Sequence, residues 1–192
     1  MKKRKKGISN VRVLTNAAML TALSIVIGMF CKTVLDFGVI RITFENFPII
    51  LSGIMFGPWV GAAVGICADA LSYMLSTQQW AISPIITLGA ALVGFVSGAV
   101  SHYLIKKDGA ARIVLSTLLA HLVGSVTVKS IGLFDIYQTF YNAGWLVLWR
   151  IPLYLVIATL ESVLLVTMYK NRNFHSFIST SNKIKGDKND LQ

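Results

Sequence analysis

The sequence predicts an all-α membrane protein of six transmembrane helices, the second of them short, with both termini in the cytoplasm. Three observations carry this prediction. Of the 192 residues 55% are hydrophobic and only 14% charged, and the charges crowd into the ends and a few connectors instead of spreading along amphipathic elements. Apolar blocks recur that are long enough for the roughly 20 residues a helix needs to cross a bilayer. The N-terminal head, the connector "IKKDGAAR" and the C-terminal tail hold 14 of the 18 Lys and Arg, an excess that marks cytoplasmic segments and makes most of the +10 charge a matter of topology. The chain is accordingly expected to divide into a basic cytoplasmic N-terminus (1–12), a six-helix membrane domain (13–170) and a cytoplasmic tail (171–192) whose composition predicts disorder.

The first block, about Val13 to Cys31, is longer than the apolar core of a signal peptide and has no small-x-small exit. Bulky Phe30 beside Cys31 argues against a lipoprotein site, so the block is expected to stay as an anchor. Cys31 and Cys67, the two cysteines, sit in or at the edge of apolar segments, where free Cys behaves as a small hydrophobe; no disulfide is expected. Blocks 47–57 and 58–76 meet at Gly57-Pro58. A single helix through both would be about 45 Å long, half again the roughly 30 Å hydrocarbon core, so a turn is predicted there. The second block is then only about 15 Å long. It must tilt, recruit Arg41 to Asn46, or sit behind its neighbours. In the third block Gly57, Gly61 and Gly65 recur every fourth residue, and Gly94 and Gly98 repeat the spacing in the fourth block, 84–105. Such rows let helix backbones approach closely, so they read as a packing seam. The fifth block, 112–134, carries His121, Ser125 and Lys129 at i, i+4 and i+8, one polar stripe; the sixth is 145–169.

Topology leaves Lys32, Arg41, Lys129 and Arg150 unexplained. All four fall in the outer third of the predicted bundle. Lys129 and Arg150 lie inside two different helices at one depth, with no evident acid at that level, where a basic group costs up to about 2.5–3.5 kcal/mol to insert. They point to an anion-receiving pocket open to the outside. Arg41 either joins it or pairs with Glu45 or Asp36 as a rim charge, and Lys32 is expected to snorkel. The same level is rich in amides and rings: Gln78, Gln79, Trp80, Tyr137, Tyr141, Asn142, Trp145, Trp149 and Tyr154. These residues serve as an interfacial belt or stack on a flat ligand. Asp69 and Glu161, near mid-membrane, each need a cation, a hydrogen-bond donor or a proton. Lys129, His121 and backbone donors are the structural candidates, and ligand contact or proton carriage the functional ones.

Absent motifs narrow the function. There is no GxxxxGK[ST] phosphate loop, GxSxG elbow, CxxC or dinucleotide-binding glycine set, and no HExxH or other ligand spacing for a metal. His121 with Ser125 is the sole candidate nucleophile pair and lies on one helix, so an enzyme is not predicted. Nor do the basic residues alternate with aromatic ones as nucleic-acid binding would ask. No cofactor is expected. What remains is a membrane subunit that binds an anion outside and is driven by something else.

The stretches "NAAMLTALSIVI", "RITFENFPIILSGIMFGPWVGAAVGICADALSYML", "AISPIITLGAALVGFVSG" and "LWRIPLYLVIATLE" resemble the substrate-binding subunits of energy-coupling factor vitamin transporters, in particular the folate-type group, over roughly residues 11 to 170. The resemblance implies a six-helix subunit that captures a vitamin from outside. Its pocket would be formed by the outer parts of helices four to six and capped by the first two external connectors. It also implies docking on one transmembrane coupling protein and two ATPases, which alone use ATP, through an A-x-x-x-A motif that Ala18 and Ala22 match. Substrate-binding residues are then expected at Arg41, Glu45, Trp80, Pro84, Thr87, Lys129, Trp145, Trp149, Arg150 and Tyr154. The second connector, "TQQWAISPIIT", departs from the glycine- and phenylalanine-rich run of the group, although Pro84 and Thr87 align with it. Another anionic vitamin such as pantothenate, or a stand-alone proton-coupled carrier using Asp69 or Glu161, is the alternative. On each of these readings the protein is expected to be a multi-pass protein of the plasma membrane.

Overall fold

A computed structural model describes residues 4–34, 43–75, 84–105, 109–132 and 140–170, with the side chains of 4–10, 32, 140–147, 149 and 150 outside the description. The described residues are almost entirely helical and contain no strand. Helix α1 spans Arg4–Val34, α2 Asn46–Phe56, α3 Pro58–Leu75 and α4 Pro84–Ala99, the last extended by a wider π turn over Val100–Leu104. Helix α5 begins at Ala110–Ala120, passes through a π segment at His121–Val128 and stays helical to residue 132. Helix α6 runs Phe140–Lys170 with Pro152 inside it. Among the described residues five stretches are long and apolar enough to cross a bilayer, Val11–Cys31, Pro58–Leu75, Pro84–Leu104, Ala110–Gly132 and Ile151–Lys170, with Asn46–Phe56 as a shorter sixth. The chain is a multi-pass all-α membrane protein, as the sequence predicts.

The short helix is the centre of the bundle. Helices α1, α3, α4, α5 and α6 pack side by side in that order, and α2 touches all five. Ten of its eleven residues are buried, which explains its apolar sequence: its neighbours on every side are protein. Of the three ways open to a helix too short to span, it takes the third and sits behind its neighbours. The turn that sends it back is made inside the protein. Gly57 has φ 98° and ψ 175°, a region essentially closed to side chains. Pro58 then opens α3 at a first-turn position where its missing N–H is no loss. Irregular backbone at this depth must satisfy its own polar groups. It does so, as Gly57 N–H donates to the Gly53 carbonyl at 2.9 Å and Gly61 N–H to the Gly57 carbonyl at 3.0 Å.

The glycine rows form the seam expected of them. A Cβ on Gly61 would strike the Gly94 carbonyl, one on Gly65 the Ala90 carbonyl, and one on Gly98 would come within 2.5 Å of the Pro58 nitrogen. Helices α2, α3 and α4 are therefore in near backbone contact, closer than any larger side chain allows. Trp59 meets Phe95 edge to face across the same seam, ring centroids 5.5 Å apart. The end of the bundle carrying Val34, Asn46, Leu75, Pro84 and Gly132 is called the upper end below. From mid-height downward Ile54, Met55 and Phe56 of α2 share an apolar core with Ala17, Ile113 and Leu165 of its neighbours. Glu45, Asn46 and Lys129 collect above that core, whereas buried hydroxyls such as Ser97, Ser101, Ser116 and Thr117 lie in the lower half.

Candidate ligand-binding site

The upper end is organised by the first residues of α2. Glu45 occupies its N-cap position, and Asn46 behind it is fully buried. Ser24 of α1 donates its hydroxyl to the Glu45 carbonyl at 2.7 Å. The Glu45 carboxylate lies against Gly28, where a Cβ would come 2.9 Å from Oε2. Lys129 reaches this point from α5. Its stem crosses α4 at Gly89, where a Cβ would come 2.6 Å from Lys129 Cγ. Its ammonium donates to Glu45 Oε1 at 3.3 Å and Asn46 Oδ1 at 3.2 Å. Asn46 Nδ2 in turn donates to Ser125 Oγ at 3.3 Å.

The stripe on α5 thus faces inward along its length, and its lowest member makes a second contact. His121 Nε2 lies 2.6 Å from Glu161 Oε2 on α6, with both residues almost wholly buried. The His121 ring also packs against Tyr154 of α6, centroids 5.9 Å apart. A line of polar groups therefore descends from Glu45 through Lys129, Asn46 and Ser125 to His121 and Glu161, between α2, α5 and α6. Asp69 is served separately, by the Thr87 hydroxyl at 2.6 Å across the α3–α4 interface. Among the described residues no group of three or more His, Cys, Asp or Glu could hold a metal.

The structure brings together Glu45 and Lys129, and it corrects one expectation about them. Lys129 does have an acid at its level, since Glu45, 84 residues earlier, pairs with it. A buried ammonium without a partner is strongly unfavourable in such surroundings, and the N-terminus of the re-entrant helix supplies one. Thr87 is engaged with Asp69, Pro84 is the exposed first residue of α4, and Tyr154 is buried beside His121. Ala18 and Ala22 are exposed on α1 one turn apart. Arg41 and Trp80 lie outside the described residues. Trp145, Trp149 and Arg150 fall on α6, their side chains outside the description. Sequence reasoning missed Asn46 and Ser24. An Asn opening an apolar helix reads as a cap, and a Ser inside a span reads as a filler.

The fold and this site define a class: a multi-pass helical protein with a partly polar interior at one end. A family profile described as "ECF transporter, substrate-specific component" matches residues 12–175, and the chain belongs to that family, whose members are substrate-binding transport subunits and not enzymes. The chain is similar, at 32% identity over 126 residues covering 66% of it and 70% of the relative, to a protein named "Folate transporter FolT" from Clostridium novyi (strain NT). Its fold is similar to that in a solved structure described as "Crystal structure of FolT bound with folic acid". The TM-score is 0.66 at 22% identity, over 84% of this chain and 95% of that one.

Proposed function

We propose that the chain is the folate-binding subunit of an energy-coupling factor importer, capturing the vitamin from outside the cell at the upper end of the bundle. The observation that carries this is the buried ammonium of Lys129, held between Glu45 and Asn46 on the fold of a family in which a relative is named a folate transporter. Folate has a flat pterin ring and a glutamate tail with two carboxylates. A fixed cation suits the carboxylates, and rings beside it would suit the pterin. Lys129 and Arg150 would take the anionic groups, with Arg41 and Glu45 on the first external connector and its exit. Trp80, Trp145, Trp149 and Tyr154 would supply apolar walls, and Pro84 and Thr87 would line the exit of the second connector. Both termini would face the cytoplasm of the plasma membrane. Ala18 and Ala22 would offer a close-approach face to a transmembrane coupling protein that works with two ATPases.

The test is mass spectrometry of the small molecule that co-purifies with the detergent-solubilised subunit, followed by titration with folic acid. Folate in the preparation, and saturable binding, are expected. Pantothenate or another vitamin in its place, with no response to folic acid, would overturn the assignment.

A further inference from the structure

The His121–Glu161 pair is left unused by this reading of the site. It sits where the membrane is least forgiving, at the middle of Ala110–Gly132 and of Ile151–Lys170. Its burial is almost complete, yet His121 Nδ1 and Glu161 Oε1 have no hydrogen-bond partner among the described residues. As adhesive between helices that is a poor choice, because apolar side chains of similar volume commonly hold buried interfaces as well or better. A hydrogen-bonded pair differs from an apolar contact in having one geometry.

That geometry acts on α6. Among its described residues Tyr154, Ile157, Ala158, Glu161, Ser162 and Leu165 are buried, and the helix packs chiefly on α5 and lightly on α2. Tyr154 and Glu161, seven residues apart, lie on one face, and the His121 ring touches both. Two contacts two turns apart on one ring set the rotation of α6 as well as its height. Arg150 is one turn before Tyr154 in the same helix. Among the described residues, the charged groups that act on the pair from outside it, Lys129 and Glu45, are paired with each other.

We propose that His121 and Glu161 are positioning residues for ligand binding: the pair fixes α6 on α5 so that the turn bearing Arg150 and Tyr154 stands at the level of Lys129. The affinity readout rests on folate as ligand; the geometric claim does not. The test uses the full-length subunit in detergent as wild type, H121L, E161L, H121L/E161L and E161Q. For each, melting temperature, folic acid affinity and ligand-free hydrogen exchange over residues 151–160 are measured. The double leucine variant should melt no lower than wild type, yet bind about tenfold more weakly and exchange faster over 151–160. E161Q, whose amide can still bond the imidazole, should stay within about threefold. Wild-type affinity and exchange in the double variant, or equal weakness of E161Q and E161L, would overturn the proposal. Should either single leucine variant fail to fold, the double variant and E161Q still decide. If wild type ignores folic acid, the vitamin assignment falls, and the exchange arm alone judges the pair.

Discussion

Lys129 is the residue on which the upper end turns, and its environment separates two roles. Removing its charge by Lys129→Met leaves Glu45 with only part of its side chain in reach of solvent, 17% exposed. Breaking a buried pair from one side costs about 3 kcal/mol or more, so a lowered melting temperature is expected. Folic acid binding should weaken ten- to a hundredfold, the loss of a charge-assisted hydrogen bond at about 1.5–3 kcal/mol. Adding Glu45→Gln removes the carboxylate charge that Lys129 balanced, and the double variant should regain stability but not affinity. Recovery of both would make the pair purely structural. The importance of Lys129 was legible from its place inside an apolar block. Its partner was not, because the contact closes over 84 residues through gaps that Gly28 and Gly89 leave open. Glycines at those positions look like any other small residue until the opposing chain is seen.

At the scale of elements, the re-entrant α2–α3 hairpin and its glycine seam carry the fold. Gly57→Ala forces a side chain into a conformation that costs about 1–3 kcal/mol. Gly61→Ala drives a methyl into the Gly94 backbone, an overpacking for which about 1–3 kcal/mol is typical. At Gly109, the N-cap of α5, a methyl would meet no described residue within 4 Å, and alanine there should cost no more than about 1 kcal/mol, the cap preference for glycine over alanine. Thermal unfolding of the three variants in one detergent checks the order; equal shifts at Gly61 and Gly109 would contradict the seam. Here the sequence was informative. Four-residue glycine spacing announced the seam, and length alone excluded one continuous helix across Gly57-Pro58. The place of α2 at the centre of the bundle was only one of three options, since an apolar helix reads the same facing lipid or facing protein. The wide π segment at His121–Val128 left no sequence signal that we recognise.

At the scale of the whole molecule, binding and energy supply belong to different surfaces. Ala18 and Ala22 are exposed on α1, about 15 and 9 Å along the helix axis below Gly28, against which the Glu45 carboxylate lies. Bulk added there should separate α1 from a partner helix without reaching the ligand. The double change Ala18→Trp and Ala22→Trp is expected to leave folic acid binding within about twofold while abolishing ATP-driven uptake by the assembled complex. Weakened binding in the isolated subunit would show that this face is coupled to the pocket instead. The most direct measurement is uptake of radiolabelled folic acid into vesicles containing this subunit alone or together with the coupling protein and both ATPases. Uptake should appear only in the complete complex and only with ATP. Uptake by the subunit alone under a pH gradient, or none by the complete complex with ATP, would contradict a folate-binding subunit driven by a separate motor.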